Sequence, residues 1–303
     1  MAKGELALLE WLRQRKVFDP QRVPIGIGDD MAAVRCGNQT VLLTIDMLLD
    51  GVHFETARHT LRQIGHKAIA SSLSDCAAMA AIPAAALVSV ALPGDWAMEQ
   101  AKALFEAMRA TAEQFECDIV GGDITSWDKP LAVDVAMVAH MPPGRQPVRR
   151  DGAQPGDALY VTGELGGSLA GKHVEFVPRV REALKLADGL GDDLHAMIDI
   201  SDGLALDLWR ICQASGCGAD LDADALMQVA SAAARPQPDG TIQHVLHDGE
   251  DFELLLSTSG RPEALARGGA VTCVGRVTQA GLRLRHRDGH TETIEPRGYE
   301  HFR

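Results

Sequence analysis

Strand-like and helix-like segments alternate through both halves of the chain, and this alternation restricts the fold more than any other feature. Residues 85–92 form an apolar run, interrupted only by Ser89, that is typical of a buried strand, and residues 97–115 repeat apolar side chains at helical spacing. The second half is predicted to hold strands at 195–199, 252–257 and 271–277, and helices at 179–188, 203–215 and 261–267. Chains with this alternation fold as mixed α/β structures, so we predict an α/β fold for both halves.

A polar stretch rich in proline and glycine, residues 141–154, separates the two halves. Such a composition is typical of a connection between compact units, because proline and glycine end regular elements. We therefore predict two α/β domains, residues 1–143 and residues 144–303. The first is further predicted to hold helices at 5–15 and 61–80 and a hairpin that turns at Gly37-Asn38.

The charge balance excludes one class of partner. The formal net charge is -13, whereas nucleic-acid binding requires basic patches that face phosphates. An acidic protein can still bind phosphorylated ligands when divalent metal ions lie between carboxylate and phosphate. The distribution of the acidic residues therefore matters more than their number.

Cysteine usage and the apolar segments indicate a cytoplasmic protein. None of the six cysteines has CxxC spacing, and a chain of 303 residues does not need disulfides, so we predict reduced, mostly buried thiols. The first ten residues lack the apolar core of a signal peptide. The apolar run at 76–93 is interrupted by Pro83, so we expect a buried helix and strand rather than a membrane span.

Many of the acidic residues lie in short segments bounded by glycine, serine or threonine, close to apolar runs. These segments are Gly28-Asp29-Asp30, Thr44-Ile45-Asp46, Ser74-Asp75, Gly121-Gly122-Asp123, Asp199-Ile200-Ser201-Asp202-Gly203 and Gly249-Glu250-Asp251. Each alone is as well explained by a helix cap or a turn. Six together favour a shared site, expected in loops at strand ends, and carboxylate oxygens are the ligands that Mg²⁺ prefers.

The same segments resemble the thiamine-monophosphate kinase family, in the family's order and over nearly the whole chain. The matching segments are IGIGDD (25–30), TIDMLLDGVHF (44–54), LSD (73–75), GGDIT (121–125), TGELGGS (162–168), DISDGL (199–204), GEDFELL (249–255) and VGRV (274–277). The wider superfamily includes aminoimidazole ribonucleotide synthetase, selenophosphate synthetase and the hydrogenase maturation dehydratase. The resemblance implies ATP-dependent phosphorylation of thiamine monophosphate to thiamine diphosphate. It also implies a homodimer in which N-terminal strands of both subunits form a shared barrel, with ATP and magnesium bound by the first domain and the substrate site completed by the second.

The resemblance further implies the site residues, position by position. The implied magnesium ligands are Asp30, Thr44, Ile45, Asp46, Asp75, Asp123, Asp199 and Asp202. The implied ATP contacts are Gly121, Gly122, Arg150 and Ser201. The implied contacts to thiamine monophosphate are His53, Glu250 and Tyr299. Ile45 departs from the family, which has Thr or Ser there, so only its backbone carbonyl would bind metal. The segments before DISDGL and before GEDFELL are also shorter than usual, which affects the substrate pocket.

Chemistry predicts what such a site would need. The acceptor is a phosphate monoester, which is mostly dianionic at neutral pH and needs no general base. We therefore predict direct in-line transfer with no catalytic base and no phosphoenzyme, driven by positioning and by charge stabilisation. Arg150 would bind phosphate oxygens through its two-pronged guanidinium, and Tyr299 would stack on the cationic thiazolium ring. Glu250 would pair with the same cation.

Two alternatives stay open from the sequence. One is another ATP-using member of the superfamily, although neither the reactive cysteine of selenophosphate synthetase nor the C-terminal cysteine of the hydrogenase dehydratase is found. The other is a nucleotide-binding protein that has kept the fold without catalysis. Residues 166–172, GGSLAGK, fit the spacing of a P-loop, but His173 follows where Ser or Thr would reach magnesium, so we predict no P-loop.

Overall fold

The computed structural model, which describes residues 4–15, 18–235, 240–262 and 271–299, contains two β-sheets that follow each other along the chain. The elements of the first part are α1 (Glu5–Gln14), β1 (Ala32–Cys36), β2 (Gln39–Leu49), α2 (Leu61–Ala78), β3 (Ile82–Pro93), α3 (Met98–Glu113), β4 (Asp118–Trp127) and β5 (Ala132–His140). Their strands form a five-stranded sheet in the order β1-β2-β5-β3-β4. All neighbours are antiparallel except β3 and β4.

The second part builds a seven-stranded sheet in the order β12-β11-β8-β10-β6-β9-β7. Its elements are β6 (Ala158–Thr162), α4 (Val180–Leu190), β7 (Leu194–Asp199), α5 (Leu204–Ser215), β8 (Gly218–Asp222), α6 (Ala223–Val229), α7 (Thr241–His247), β9 (Leu254–Thr258), β10 (Val271–Thr278), β11 (Leu282–Arg285) and β12 (Thr291–Thr293). The mixed α/β class predicted from the alternation is confirmed. The exact division at residue 143 stays a prediction, because one apolar cluster includes side chains from both parts.

Helix α2 lies between the two parts and is the most deeply buried helix of the site. It begins at a capping box, in which the Thr60 hydroxyl accepts from the Gln63 N–H and the Gln63 side chain accepts from the Thr60 N–H. Its alanine- and serine-rich sequence allows close packing: a Cβ at Gly65 would lie 2.8 Å from the Ala107 Cβ of α3. The helix contacts β2 and β5 on one side and α4 and β7 on the other.

The five-stranded sheet has one covered face and one exposed face. Leu42, Leu48 and Val133 are buried beneath α2, whereas the alternate residues of β2 point the other way. On the exposed face and the edge strand β4, large apolar side chains reach solvent: Leu43, Ile45, Met47, Leu87, Val120 and Ile124. An apolar surface of this kind is unusual for an isolated subunit and indicates an interaction surface.

Several element boundaries differ from the prediction. Strand β4 continues to Trp127, so Gly121-Gly122-Asp123 lies within a strand and not in a loop at its end; Thr44-Ile45-Asp46 likewise lies inside β2. The hairpin at Gly37-Asn38 is confirmed, and helix 61–80 ends at Ala78. Most of the helix predicted at 261–267 falls outside the described residues. No helix among the described residues is long and apolar enough to cross a membrane.

Candidate active site

Three aspartates from separate elements meet between the two parts of the molecule. Asp30 precedes β1, Asp75 lies near the end of α2, and Asp199 ends β7. One carboxylate oxygen of each lies within 4.8 Å of the others, and no other such group of three His, Cys, Asp or Glu occurs in the part of the chain that the structure describes. Burial, followed by repulsion from neighbouring aspartates, raises the pKa of Asp75 and of Asp199 well above the ordinary value.

Hydroxyl groups orient this carboxylate triad. The Thr44 hydroxyl of β2 donates to Asp75, and the Ser74 hydroxyl donates to Asp199 with an Oγ–Oδ2 distance of 2.6 Å. Asp46, on the same covered face of β2 as Thr44, accepts from the Ser72 hydroxyl at 2.6 Å. Burial raises the pKa of Asp46 as well. Five of the predicted metal ligands therefore lie in one buried acidic region: Asp30, Thr44, Asp46, Asp75 and Asp199.

Arg150 supplies positive charge at the rim of this region. Its guanidinium forks the Asp30 carboxylate, with distances of 3.0 Å from Nε to Oδ2 and 2.5 Å from a terminal nitrogen to Oδ1. Burial alone would lower the pKa of Arg150, but the attraction of Asp30 and Asp29 raises it above the ordinary value. Asp29 behaves differently: burial and the neighbouring Asp30 raise its pKa to about 6.

A cleft of about 1270 Å³ opens over the triad. Its floor includes the three aspartates, and its walls include Arg150 and Ser201, two of the residues predicted to bind ATP. Helices α1 and α5 also line the cleft, and their lining residues include Trp11 and Trp209. The cleft is large enough for a nucleotide, and its lining includes both carboxylates and aromatic side chains.

Asp202 lies on the wall of the same cleft but is paired with an arginine. Arg210 donates from one nitrogen to Asp202 and to Asp207, each at 2.6 Å. Asp207 is fully buried; burial is the main reason that its pKa rises to about 7, and its carboxylate also accepts from the Asp202 N–H at 3.1 Å. Arg210 and Asp207 thus hold the predicted ligand Asp202 in place.

The three residues predicted to contact the acceptor, His53, Glu250 and Tyr299, lie in segments that hydrogen bonds and an ion pair bring close together. The Glu250 N–H donates to the Ser201 carbonyl at 2.6 Å, and the Tyr299 N–H donates to the Asp202 carbonyl at 3.0 Å. His53 is joined to the Glu250 side chain through Lys67, which donates to the His53 carbonyl at 2.6 Å and forms an ion pair with Glu250. The side chain of Glu250 remains 22% exposed. None of the three lines the cleft over the triad, so they border a neighbouring region.

Asp123, Gly121 and Gly122 are not brought to the triad within one chain. Strand β4 is separated from β2 by β5 and β3, and three strand spacings amount to roughly 14 Å. Asp123 pairs with Ser89 in register and is exposed. Gly122 also has a purely structural reason to be glycine, because a Cβ there would lie 1.7 Å from the Val88 carbonyl oxygen.

Ile45 illustrates how strand geometry separates neighbouring residues. Thr44 and Asp46 contact α2, whereas the Ile45 side chain points to the exposed face of the sheet and is 65% exposed. A side-chain oxygen at position 45 would therefore face away from the triad. Strand β1 pairs with β2 only as far as Leu43, so from Thr44 onward no strand of the described residues pairs with that edge of β2.

The segment with P-loop spacing is occupied by the protein's own carboxylates. The Gly166 N–H donates to both Asp251 oxygens, at 2.9 and 3.0 Å, and the Gly167 N–H donates to Asp248 at 2.7 Å. Lys172 donates to Glu253 at 2.9 Å. These contacts satisfy the groups that would otherwise bind phosphate, in agreement with the prediction that no P-loop is present.

Several residues that hold the site together were assigned no role from the sequence. Ser72 and Ser74 bind Asp46 and Asp199, Lys67 binds Glu250, and Arg210 binds Asp202. The sequence of α2 did contain a signal for Ser72, Ser74 and Lys67. A buried helix normally carries apolar residues, whereas α2 has polar residues such as Lys67, Ser71 and Ser74 at buried positions. Arg210 carried no such signal, because an arginine near the middle of an amphipathic helix is ordinarily a surface residue.

Comparison with known proteins agrees with this geometry. The protein family described as AIR synthase related protein, N-terminal domain, matches residues 28–141. The thiamine-monophosphate kinase of Rhodopirellula baltica is 38% identical over 98% of this chain and 97% of its own length. The thiamine-monophosphate kinase of Salmonella typhimurium is 33% identical over 100% and 99%. The structure of AaThiL complexed with AMPPCP and TMP is 27% identical, with a TM-score of 0.82 over 99% of this chain and 97% of that one.

The fold and the carboxylate-lined cleft define an α/β enzyme of the AIR synthase-related class. Identity above 30% over essentially the whole length of both chains narrows the class further. The chain belongs to the thiamine-monophosphate kinase family.

Proposed function

We propose that the protein transfers the γ-phosphoryl group of ATP to thiamine monophosphate, giving thiamine diphosphate. The observation that carries this proposal is the triad of Asp30, Asp75 and Asp199 on the floor of a cleft large enough for a nucleotide. Support comes from the family, and from the related AaThiL, whose structure is complexed with AMPPCP, an ATP analogue, and TMP.

The donor set fits magnesium. Three carboxylates within 4.8 Å of each other repel strongly unless protons or a cation lie between them, and hard oxygen ligands favour Mg²⁺. We propose that Asp30, Asp75 and Asp199 hold Mg²⁺, with Thr44, Asp46 and the Ile45 carbonyl at the β2 side and Asp202 at the α5 side. When bound, magnesium would neutralise phosphate charge and stabilise the charge that develops during transfer.

The remaining residues bind and orient. Arg150 and Ser201 line the cleft and would contact the ATP phosphates, and Arg150 at the same time fixes Asp30. Glu250 and Tyr299, joined by backbone hydrogen bonds to Ser201 and Asp202, would bind the cationic ring of the acceptor, with His53 beside them. The acceptor phosphate is already ionised at neutral pH, so these residues need not remove a proton, and transfer is direct and in line.

We also propose that the enzyme is a homodimer. The apolar exposed face of the five-stranded sheet, with Ile45 at 65% and Met47 at 58% exposure, supports a second copy as its partner. A dimer would also give Asp123, Gly121 and Gly122 of β4 a place in the site, because they would reach the partner's triad rather than their own. Six free thiols, three of them buried, support a cytoplasmic location.

A chromatographic assay with ATP, Mg²⁺ and thiamine monophosphate tests the reaction. We expect thiamine diphosphate from the wild type and little from Asp202→Asn, with Asp192→Asn, an exposed aspartate away from the triad, as the control. A folded, ATP-binding wild type that makes no diphosphate would refute the proposed reaction. Other phosphate acceptors of the superfamily would then be assayed, as would nucleotide binding without turnover.

Mixing two inactive variants tests the dimer and the role of Asp123. If Asp123 acts in the partner's site, Asp123→Asn and Asp75→Asn subunits form heterodimers with one intact site, and mixing restores about a quarter of the activity. No recovery from subunits that exchange, as followed by light scattering and mass labelling, would contradict this arrangement.

A further inference from the structure

A buried lysine lies between the two groups predicted to bind the acceptor, and no family motif described above includes it. Lys67 is in the first half of α2, eight residues before Asp75, and its side chain is 1% exposed. Its ammonium donates to the His53 carbonyl at 2.6 Å and forms an ion pair with the Glu250 carboxylate. One cation therefore joins a turn of the first part to a loop of the second.

The Glu250 loop requires such support. Glu250 has a φ of 56° and Phe252 a φ of 50°, values that L-residues with bulky side chains rarely adopt. Backbone of this kind persists where neighbouring contacts fix it from several sides. Here the Glu250 N–H is bound by the Ser201 carbonyl, its carboxylate by Lys67, and the Phe252 ring stacks on Phe176 with centroids 3.9 Å apart.

Accessibility distinguishes the roles of the two partners. The Lys67 side chain is closed to solvent, whereas the Glu250 side chain keeps 22% exposure, so of the two residues only Glu250 can meet a ligand. Burial lowers the pKa of Lys67 and raises that of Glu250, while the attraction within the pair opposes both shifts. A buried carboxylate without its cation would lose either its charge or its position.

We propose that Lys67 is a positioning residue for the acceptor: it fixes the Glu250 carboxylate and the His53 turn in one arrangement without touching the substrate. The inference rests on the proposed function, in which Glu250 meets the cationic ring of thiamine monophosphate. Because Lys67 and Asp75 lie on the same helix, about 12 Å apart along its axis, α2 also sets the distance between the acceptor-binding carboxylate and the triad.

Steady-state kinetics of Lys67→Met tests this role. Methionine keeps the length and apolar stem of lysine and removes the ammonium. We expect the KM for thiamine monophosphate to rise at least tenfold while the KM for ATP stays within twofold of wild type. Lys67→Gln, which keeps an N–H donor, is expected to show a smaller rise. Lys102→Met, at an exposed position of α3, is the matched control and leaves both constants unchanged.

A double-mutant comparison separates positioning from simple loss of folding. If Lys67 acts through Glu250, then Lys67→Met/Glu250→Gln raises the acceptor KM no further than the larger single effect. This neutral pair contains no unpaired buried charge, so it is expected to fold even if Lys67→Met alone does not. Equal changes in both KM values, additive effects, or a neutral pair that does not fold would each overturn the proposal. Wild-type turnover, measured in the same experiment, tests the proposed reaction separately.

Discussion

The carboxylate triad makes a sharp prediction about stability without metal. Asp75 is the member whose pKa is raised by burial and by three neighbouring carboxylates, those of Asp46, Asp199 and Asp30. Asp75→Asn removes one negative charge from this group while keeping the size of the side chain and an oxygen that accepts from the Thr44 hydroxyl. The metal-free variant should therefore be more stable than the metal-free wild type, although the same change should destroy the metal site.

The structure sets the size of the effect. Two unit charges at 4.8 Å repel by about 3.5 kcal/mol at an effective dielectric constant of roughly 20. The raised pKa values mean that protons relieve part of this repulsion in the wild type, so the net gain is smaller. We expect about 1–2 kcal/mol, which corresponds to a Tm increase of roughly 2–3 °C for a chain of 303 residues.

Thermal unfolding above neutral pH, in EDTA and in millimolar MgCl₂, measures both parts of the prediction. Magnesium should raise the Tm of the wild type clearly and that of Asp75→Asn little, because ligand binding stabilises only a protein that binds it. Asp192→Asn should behave as wild type in both conditions. If Asp75→Asn lowered the metal-free Tm and kept the full magnesium shift, the triad would be neither strained nor the magnesium site.

Three further outcomes follow from the structure. Gly163→Ala should lower the free energy of unfolding by about 2–3 kcal/mol, measured by thermal unfolding, because the added Cβ would lie 2.3 Å from the fixed Glu253 carboxylate. Gly144→Ala is the control and should lower it less, because Gly144 also has a positive φ but no atom lies within 4 Å of the added Cβ. Arg150→Lys loses a two-pronged contact, so the KM for ATP should rise about tenfold, whereas an unchanged KM would contradict its assignment. The pKa of Asp207 is raised from 3.8 to about 7, so its contribution to metal-free stability is full below pH 3.8 and is lost as pH rises towards 7. Asp207→Asn should therefore flatten the fall of Tm between these two pH values. An unchanged slope of Tm against pH would contradict a raised pKa for Asp207.

The sequence predicted the fold class and the family better than it predicted the positions of individual residues. Alternating periodicities and the hairpin turn at Gly37-Asn38 follow from local rules, and they reappear in the structure. Strand β8 and helices α6 and α7 were not predicted, because all three are only five to seven residues long and carry little periodic signal. The acidic segments alone could not predict the triad. Only the fold brings Asp30, Asp75 and Asp199 together from distant parts of the chain.

Expecting acidic motifs in loops was wrong for two segments. Thr44 and Asp46 lie within β2 and reach the site because alternate residues of a strand share one face. Ile45 between them is turned to the other face, and this explains how an apolar residue fits in the middle of an acidic motif. Asp123, in another strand, stays away from the triad of its own chain. Spacing along the chain could not distinguish these cases; strand order and face could.

Helix α2 explains why so many distant motifs converge. Through Lys67 it binds the Glu250 loop and the His53 turn, through Ser72 it binds Asp46, and through Ser74 it binds Asp199. It also provides Asp75 itself. These side chains are polar, yet the helix is almost wholly buried, so each must have a partner to offset the loss of hydration. The same contacts hold the helix in place. A rotation of α2 by one residue would break the contacts of Lys67 with the Glu250 loop and those of the serines with Asp46 and Asp199 at the same time.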